Sequence, residues 1–273
     1  MKSTSYYIKI ATLAGLLLLL SFLLSETAIN VIYTANYLNP PIETFIEVGL
    51  LMLALCYTYA LTLGAWHKWV QYAIVAVPMS IGVFLVVSSF DLYYGSIITF
   101  VLFLLFVYEI YESTLLIDLL VKARPSAVLK ISAQGFLFFF SILAAVLLFM
   151  ATTFGTSKID LPAKLSQQIN SLISGQVMDA IKQNLGANSI GVAEQAGINP
   201  QKIVSDKINE YIENYKPFVL PLMMLLVFGI FQFLGGITLF IFGLTVNPIF
   251  GILKKVGFFK VEQVQITKEY LRF

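Results

Sequence analysis

The chain is expected to be all-α: a polytopic membrane protein of six transmembrane helices, N-in and C-in, with a helical extracytoplasmic insert between spans 5 and 6. Three observations predict this class. Of 273 residues, 59% are hydrophobic and only 12% charged, with a mean hydropathy of +0.86, which is outside the range of soluble domains. The apolar residues fall in six runs, each long enough at about 1.5 Å per residue to cross about 30 Å of hydrocarbon. The basic residues sit on one side of those runs.

The first run covers residues 8–24 and follows Lys2 and Lys9. The layout resembles a secretory signal, but cleavage after Ala28 would put Glu26 at the −3 position. An uncleaved signal anchor is therefore expected. Residues 25–43 read as a loop, broken by Asn39-Pro40-Pro41, because proline lacks the donor that a helix interior needs.

Spans two and three cover 44–64 and 69–90. They are joined at His67-Lys68 between the interfacial Trp66 and Trp69, and Pro78 is expected to kink the third. The fourth, 96–121, follows the short loop 91–95, and the fifth, 131–152, follows a basic loop.

Residues 153–216 are polar and amphipathic. Leu165, Ile169, Leu172, Ile173, Val177, Ile181 and Leu185 recur at helical spacing up to Gly186. Asn199-Pro200 then opens a second helix with Val204, Ile208, Ile212 and Tyr215 on one face. The expected unit is an extracytoplasmic helical hairpin, able to dock a protein partner or lie on lipid headgroups. Its six lysines are matched by six acidic residues, which excludes a nucleic-acid surface.

The sixth span is placed at 217–246, ended by Asn247-Pro248. A short interfacial helix over 249–259 and a polar cytoplasmic tail make up 247–273. Gly229, Gly236 and Gly243 recur every seven residues and predict a helix-packing face, within the chain or against a second copy as an oligomer contact.

The charges orient the bundle. With the N-terminus inside, the inner ends and loops collect Lys2, Lys9, Lys68, Lys122, Arg124, Lys130, Lys254, Lys255, Lys260, Lys268 and Arg272. The short outer loops hold only Glu26, Glu43, Glu47 and Asp91. That is the positive-inside pattern of a multi-pass protein of the cytoplasmic membrane.

The fourth span carries Glu109 and Glu112 at membrane depth, three residues apart and expected on one helix face. A lipid-facing carboxylate there costs at least a few kcal/mol, so other polar groups should gather around it. The depths of the spans predict a belt of Tyr57, Tyr59, Gln71, Tyr108, Glu109, Tyr111, Glu112, Gln134 and Gln232. No Lys or Arg lies at the level of Glu109, so the protonated acid is favoured. The belt reads either as a proton or cation site or as a hydrogen-bonded pin between helices. Asp118 and Lys122 form an ordinary i,i+4 pair.

Chemistry by known motif is not expected. One histidine cannot make HExxH, and no GxSxG, P-loop or GxGxxG occurs. A lone cysteine, Cys56, excludes an intrachain disulfide. No cofactor or metal is implied. The functional expectation is a non-catalytic scaffold, assembly or accessory component whose constant partner is the lipid bilayer. The contrasting possibility is a proton- or cation-coupled transporter or channel subunit using Glu109 and Glu112.

Overall fold

The computed structural model describes residues 4–34, 41–65, 68–119, 125–154, 159–170 and 200–257. All regular structure among them is helical. The elements are α1 (Thr4–Thr34), α2 (Ile42–Ala65), α3 (Lys68–Val87), α4 (Leu92–Leu119), α5 (Pro125–Thr153), α6 (161–170), α7 (Pro200–Asn214) and α8 (Lys216–Lys255).

Five of these helices, α1, α2, α4, α5 and α8, are long and apolar enough to cross a membrane. In α3, the shorter apolar stretch Ile74–Val87 is recognised. Large apolar side chains cover the outside of the bundle, among them Leu50, Leu85, Phe100, Leu104, Phe233 and Phe240. Exposed apolar surface on this scale suits lipid and not water. The chain therefore has the character of a membrane protein.

The six long helices close into a ring, in the spatial order α1, α3, α4, α5, α8, α2 and back to α1. Helix α5 also reaches across to α1 and α2, filling the centre. The core along this axis holds Met52, Leu55, Tyr59, Met79, Val83, Phe106, Ile110, Phe136, Phe140 and Leu147. Its aromatic rings interlock: Phe136 lies 5.1 Å from Phe140 and 5.8 Å from Phe106 between ring centres.

Contacts at the two ends of the ring fix the relative directions of the helices. At one end, Tyr94 near the start of α4 stacks on Phe154 just past α5, with ring centres 4.3 Å apart. At the other, the Lys130 stem near the start of α5 lies 3.7 Å from where a Cβ at Gly243 of α8 would stand.

Helix α5 starts at Pro125, inside the stretch expected as a loop, with proline at the first helical position where its missing donor costs nothing. Three further boundaries differ from the sequence expectation. Helix α1 does not end at residue 24 but runs through the polar stretch SETAINVIYT to Thr34. Packing overrides propensity there. Ser25 is fully buried and donates to the Ser21 carbonyl at 2.8 Å, while Ala28 and Ile32 join the core. Helix α4 begins at Leu92, since Asp91 caps it by accepting from the Tyr94 amide at 2.9 Å, as an N-cap carboxylate does.

The third difference is in α8, which passes through both Pro221 and Pro248 to Lys255 without the predicted break at Asn247-Pro248. A proline removes one intrahelical bond but can be absorbed as a kink when the flanking turns pack. Val246, just before the Asn-Pro pair, is fully buried. The helix ends instead at Gly257, with φ of +77° and its amide donating to the Lys254 carbonyl at 3.1 Å. A left-handed glycine in this position is a common helix terminator. Its 40 residues measure about 60 Å, roughly twice the hydrocarbon thickness.

Two glycines set the closest helix approaches. At Gly82 of α3, a Cβ would stand 2.6 Å from the Leu18 carbonyl oxygen and 3.0 Å from the Phe22 amide of α1. At Gly135 of α5, it would overlap the carboxyl group of Glu109.

Of the segment 153–216, two pieces are described. Asp160 caps α6 by accepting from the Ala163 amide at 3.2 Å. Leu161 is buried in the core, and Leu165 packs against it. Lys164 donates to the Tyr33 carbonyl at 2.7 Å and the Ile32 carbonyl at 3.4 Å, at the C-terminal end of α1. A cation suits that site because the last carbonyls of a helix carry partial negative charge. Partial burial holds the Lys164 ammonium below the ordinary lysine range.

Ser166 of α6 donates to the side-chain oxygen of Asn209 of α7, joining the two helices. Helix α7 starts at Pro200, with Ile208 and Ile212 half-buried and Tyr215 exposed. The expected positions Leu172, Ile173, Val177, Ile181, Leu185 and Gly186 lie outside the described residues, as do Asn199, His67, Lys122 and the tail from 258 onward.

Candidate functional site

Helix α4 presents Glu109 inward, with 8% of its surface exposed. It can do so because residue 135 of the facing α5 is glycine, and the carboxyl group occupies the space a side chain would fill. One turn further along α4, Ser113 is fully buried. Its Oγ lies beside both the Glu109 carboxyl and the hydroxyl of Tyr59, which reaches in from α2.

Tyr59 is 1% exposed and stacks on Phe136, with centroids 5.0 Å apart. Neither Tyr59 Oη nor Ser113 Oγ completes a hydrogen bond of good geometry among the described residues. The site is thus a junction of α2, α4 and α5 that buries three oxygen-bearing side chains beside the ring of Phe136. Cys56, also fully buried, lies one turn before Tyr59 on α2.

The rest of the predicted belt lies elsewhere. Glu112 is turned to the outside and accepts from the Tyr108 hydroxyl at 2.5 Å, one turn back on the same exposed surface. Glu109 and Glu112 therefore do not point into one site. Three residues advance about 300° around a helix, leaving the two some 60° apart, and the edge of the α4–α5 contact falls between them. Tyr111 is exposed at 53%, and Gln134 and Gln232 are exposed as well.

Tyr57 serves a separate contact. Its hydroxyl hydrogen-bonds Thr245 Oγ1 of α8, and its ring lies 5.0 Å from Phe242. The side chains of Gln71 and Asp118 lie outside the described set.

The glycine periodicity also falls differently. An added Cβ at Gly229 or Gly236 would meet nothing within 4 Å, so these two do not pack within the chain. The buried stripe of α8 runs instead through Met223, Val227, Phe231, Leu234, Thr238, Phe242 and Val246. Gly235, one residue from the predicted stripe, lies against Leu137 of α5.

Gly82 and Gly135 were not singled out from the sequence. A lone glycine in an apolar helix gives no periodic signal. Ser113, one turn from Glu109, was legible as a polar position on the same helix face and was also missed.

No protein-family model matches this chain, and no curated protein or solved structure matches it.

Proposed function

We propose that the chain is a six-span protein of the cytoplasmic membrane, both termini inside, acting without catalysis as a scaffold or assembly component. In this account α3 is the sixth crossing. Its 20 residues span about 30 Å, and it lies between α1 and α4 in the ring. The first helix acts as an uncleaved signal anchor, and the α6–α7 segment is the extracytoplasmic surface offered to a partner.

The observation that carries the reading is the placement of Glu109. Its carboxyl is packed against Gly135 in a closed helix junction, while the second carboxylate, Glu112, faces outward beside Tyr108. A relay needs carboxylates in series or an opening lined by polar groups. A pin between helices needs one well-enclosed polar group, and the α2–α4–α5 junction is of that kind.

The test compares Glu109→Gln with Glu109→Leu. Gln keeps the shape and hydrogen-bonding capacity but cannot ionise. Under the scaffold reading it folds normally and complements a deletion, while Leu puts a branched apolar group where the carboxyl packs against Gly135, a change of shape that costs about 1–3 kcal/mol. A Gln variant that folds normally yet fails to complement would sink the scaffold reading.

A further inference from the structure

We infer that the end of α8 beyond Gly243, together with Lys130 of α5, is a binding site for an anionic phospholipid. The inference rests on the reading of this end of the bundle as its cytoplasmic face and adds the headgroup that the face holds.

The geometry of the two helices is the first argument. They run antiparallel: the Lys130 stem lies 3.7 Å from where a Cβ at Gly243 would stand, and Gly235 lies against Leu137. By that register Pro125, the first residue of α5, comes level with Asn247-Pro248. The last part of α8, about two turns to Lys255, therefore runs on past the start of its neighbour. Gly243 and Lys254 are eleven residues apart, about 20° from three full turns, so they share one face of α8 at a separation of about 16 Å. The face between them is open. Asn247 and Gly251 are exposed, and a Cβ at Gly251 would meet nothing within 4 Å. An exposed lysine stands at each end of this lane, Lys130 at one and Lys254 with the adjacent Lys255 at the other.

Charge is the second argument. Helices α5 and α8 contain no aspartate or glutamate. None of the three lysines is in an ion pair among the described residues. Glu112 and Asp118 belong to α4, on the opposite side of α5 from α8 in the ring. The lane is thus positive without internal compensation, which suits a phosphate.

The apolar surface beside it selects a lipid over a free anion. Phe233, Ile237, Phe240 and Leu244 are all exposed and recur at helical spacing on the adjoining flank of α8. Acyl chains laid along that line bring a headgroup to the level of Asn247 and Gly251, between the lysines.

The test uses the purified full-length chain in a nonionic detergent. Thermal unfolding is followed while phosphatidylglycerol is added, and in parallel phosphatidylcholine or glycerol phosphate. A ligand of the folded state raises the midpoint in a saturable way. The expected result is such a rise with phosphatidylglycerol alone, suppressed in about 1 M NaCl, where the screening length falls to about 3 Å. Lys130→Met keeps the stem over Gly243 without its charge and should weaken the lipid about fivefold, the factor that one lysine near an anionic surface contributes. Lys254→Gln with Lys255→Gln should weaken it about 25-fold on the same scale. Lys207→Gln, which removes a lysine paired with Glu210 on α7, should leave the response unchanged.

Equal midpoints in phosphatidylglycerol and phosphatidylcholine would overturn the inference. An equal response to glycerol phosphate would overturn it too, by making the site one for a free anion. An undiminished response when all three lysines are replaced would place lipid binding elsewhere. Micelles have no inner and outer side, so each of these outcomes leaves the six-span topology standing, and cysteine labelling tests that separately.

Discussion

Replacing Gly82 by alanine should destabilise the bundle, and the structure sets the scale. A Cβ at residue 82 would stand 2.6 Å from the Leu18 carbonyl oxygen and 3.0 Å from the Phe22 amide, where ordinary contact begins near 3.4 Å. Both are backbone atoms of α1, which cannot swing away as a side-chain tip can. Helices α1 and α3 must separate locally by about 0.8 Å, the difference between 3.4 and 2.6 Å. Overpacking of this kind costs about 1–3 kcal/mol. Against it stands the helix preference of alanine over glycine, worth about 1 kcal/mol.

Gly236→Ala provides the control, since its Cβ would meet nothing within 4 Å. That variant should keep the propensity gain alone. The stability difference between the two alanine variants therefore isolates the clash, at about 1–3 kcal/mol. Thermal or denaturant unfolding in one detergent measures it. A Gly82→Ala chain as stable as Gly236→Ala would refute the close approach of α1 and α3.

Three other outcomes follow from named contacts. Gly135→Ala should expel the Glu109 carboxyl from the junction, so that Glu109→Gln added to it changes stability less than in the wild-type chain, as a double-mutant cycle would measure. Tyr57→Phe removes the hydroxyl bonded to Thr245 and should cost about 0.5–1.5 kcal/mol, with no further loss when Thr245→Val is added. Lys164→Met leaves the carbonyls of Ile32 and Tyr33 without their ammonium donor and should raise the rate at which protease cleaves between α5 and α8.

Much of the helix content was legible, because apolar runs of membrane-spanning length are a strong signal. The ends were less so. Ser21 and Ser25 look like a polar stop but satisfy their hydroxyls on their own helix, which no window average registers. Asn247-Pro248 has the form of a terminator, yet α8 continues through it to a left-handed Gly257.

In the site, depth brings Tyr57 and Tyr59 alike to the level of Glu109, but it carries no information on rotation, and Tyr57 turns to Thr245 of α8. For that reason Glu112, Tyr108, Gln134 and Gln232 were grouped with residues from which they face away. In α8 two periodic stripes run side by side, one of glycines and one of larger apolar residues. The sequence does not say which of them meets the neighbouring helices.

The account depends above all on six crossings with both chain ends on the cytoplasmic side. The direct measurement is labelling of single cysteines, introduced at Ala127, Gln183 and Lys268, by an impermeant thiol reagent in sealed cells. Native Cys56 is fully buried and serves as the unlabelled background. The predicted result is labelling at residue 183 and protection at 127 and 268 until the cells are opened. Labelling at 127 in sealed cells would contradict the arrangement.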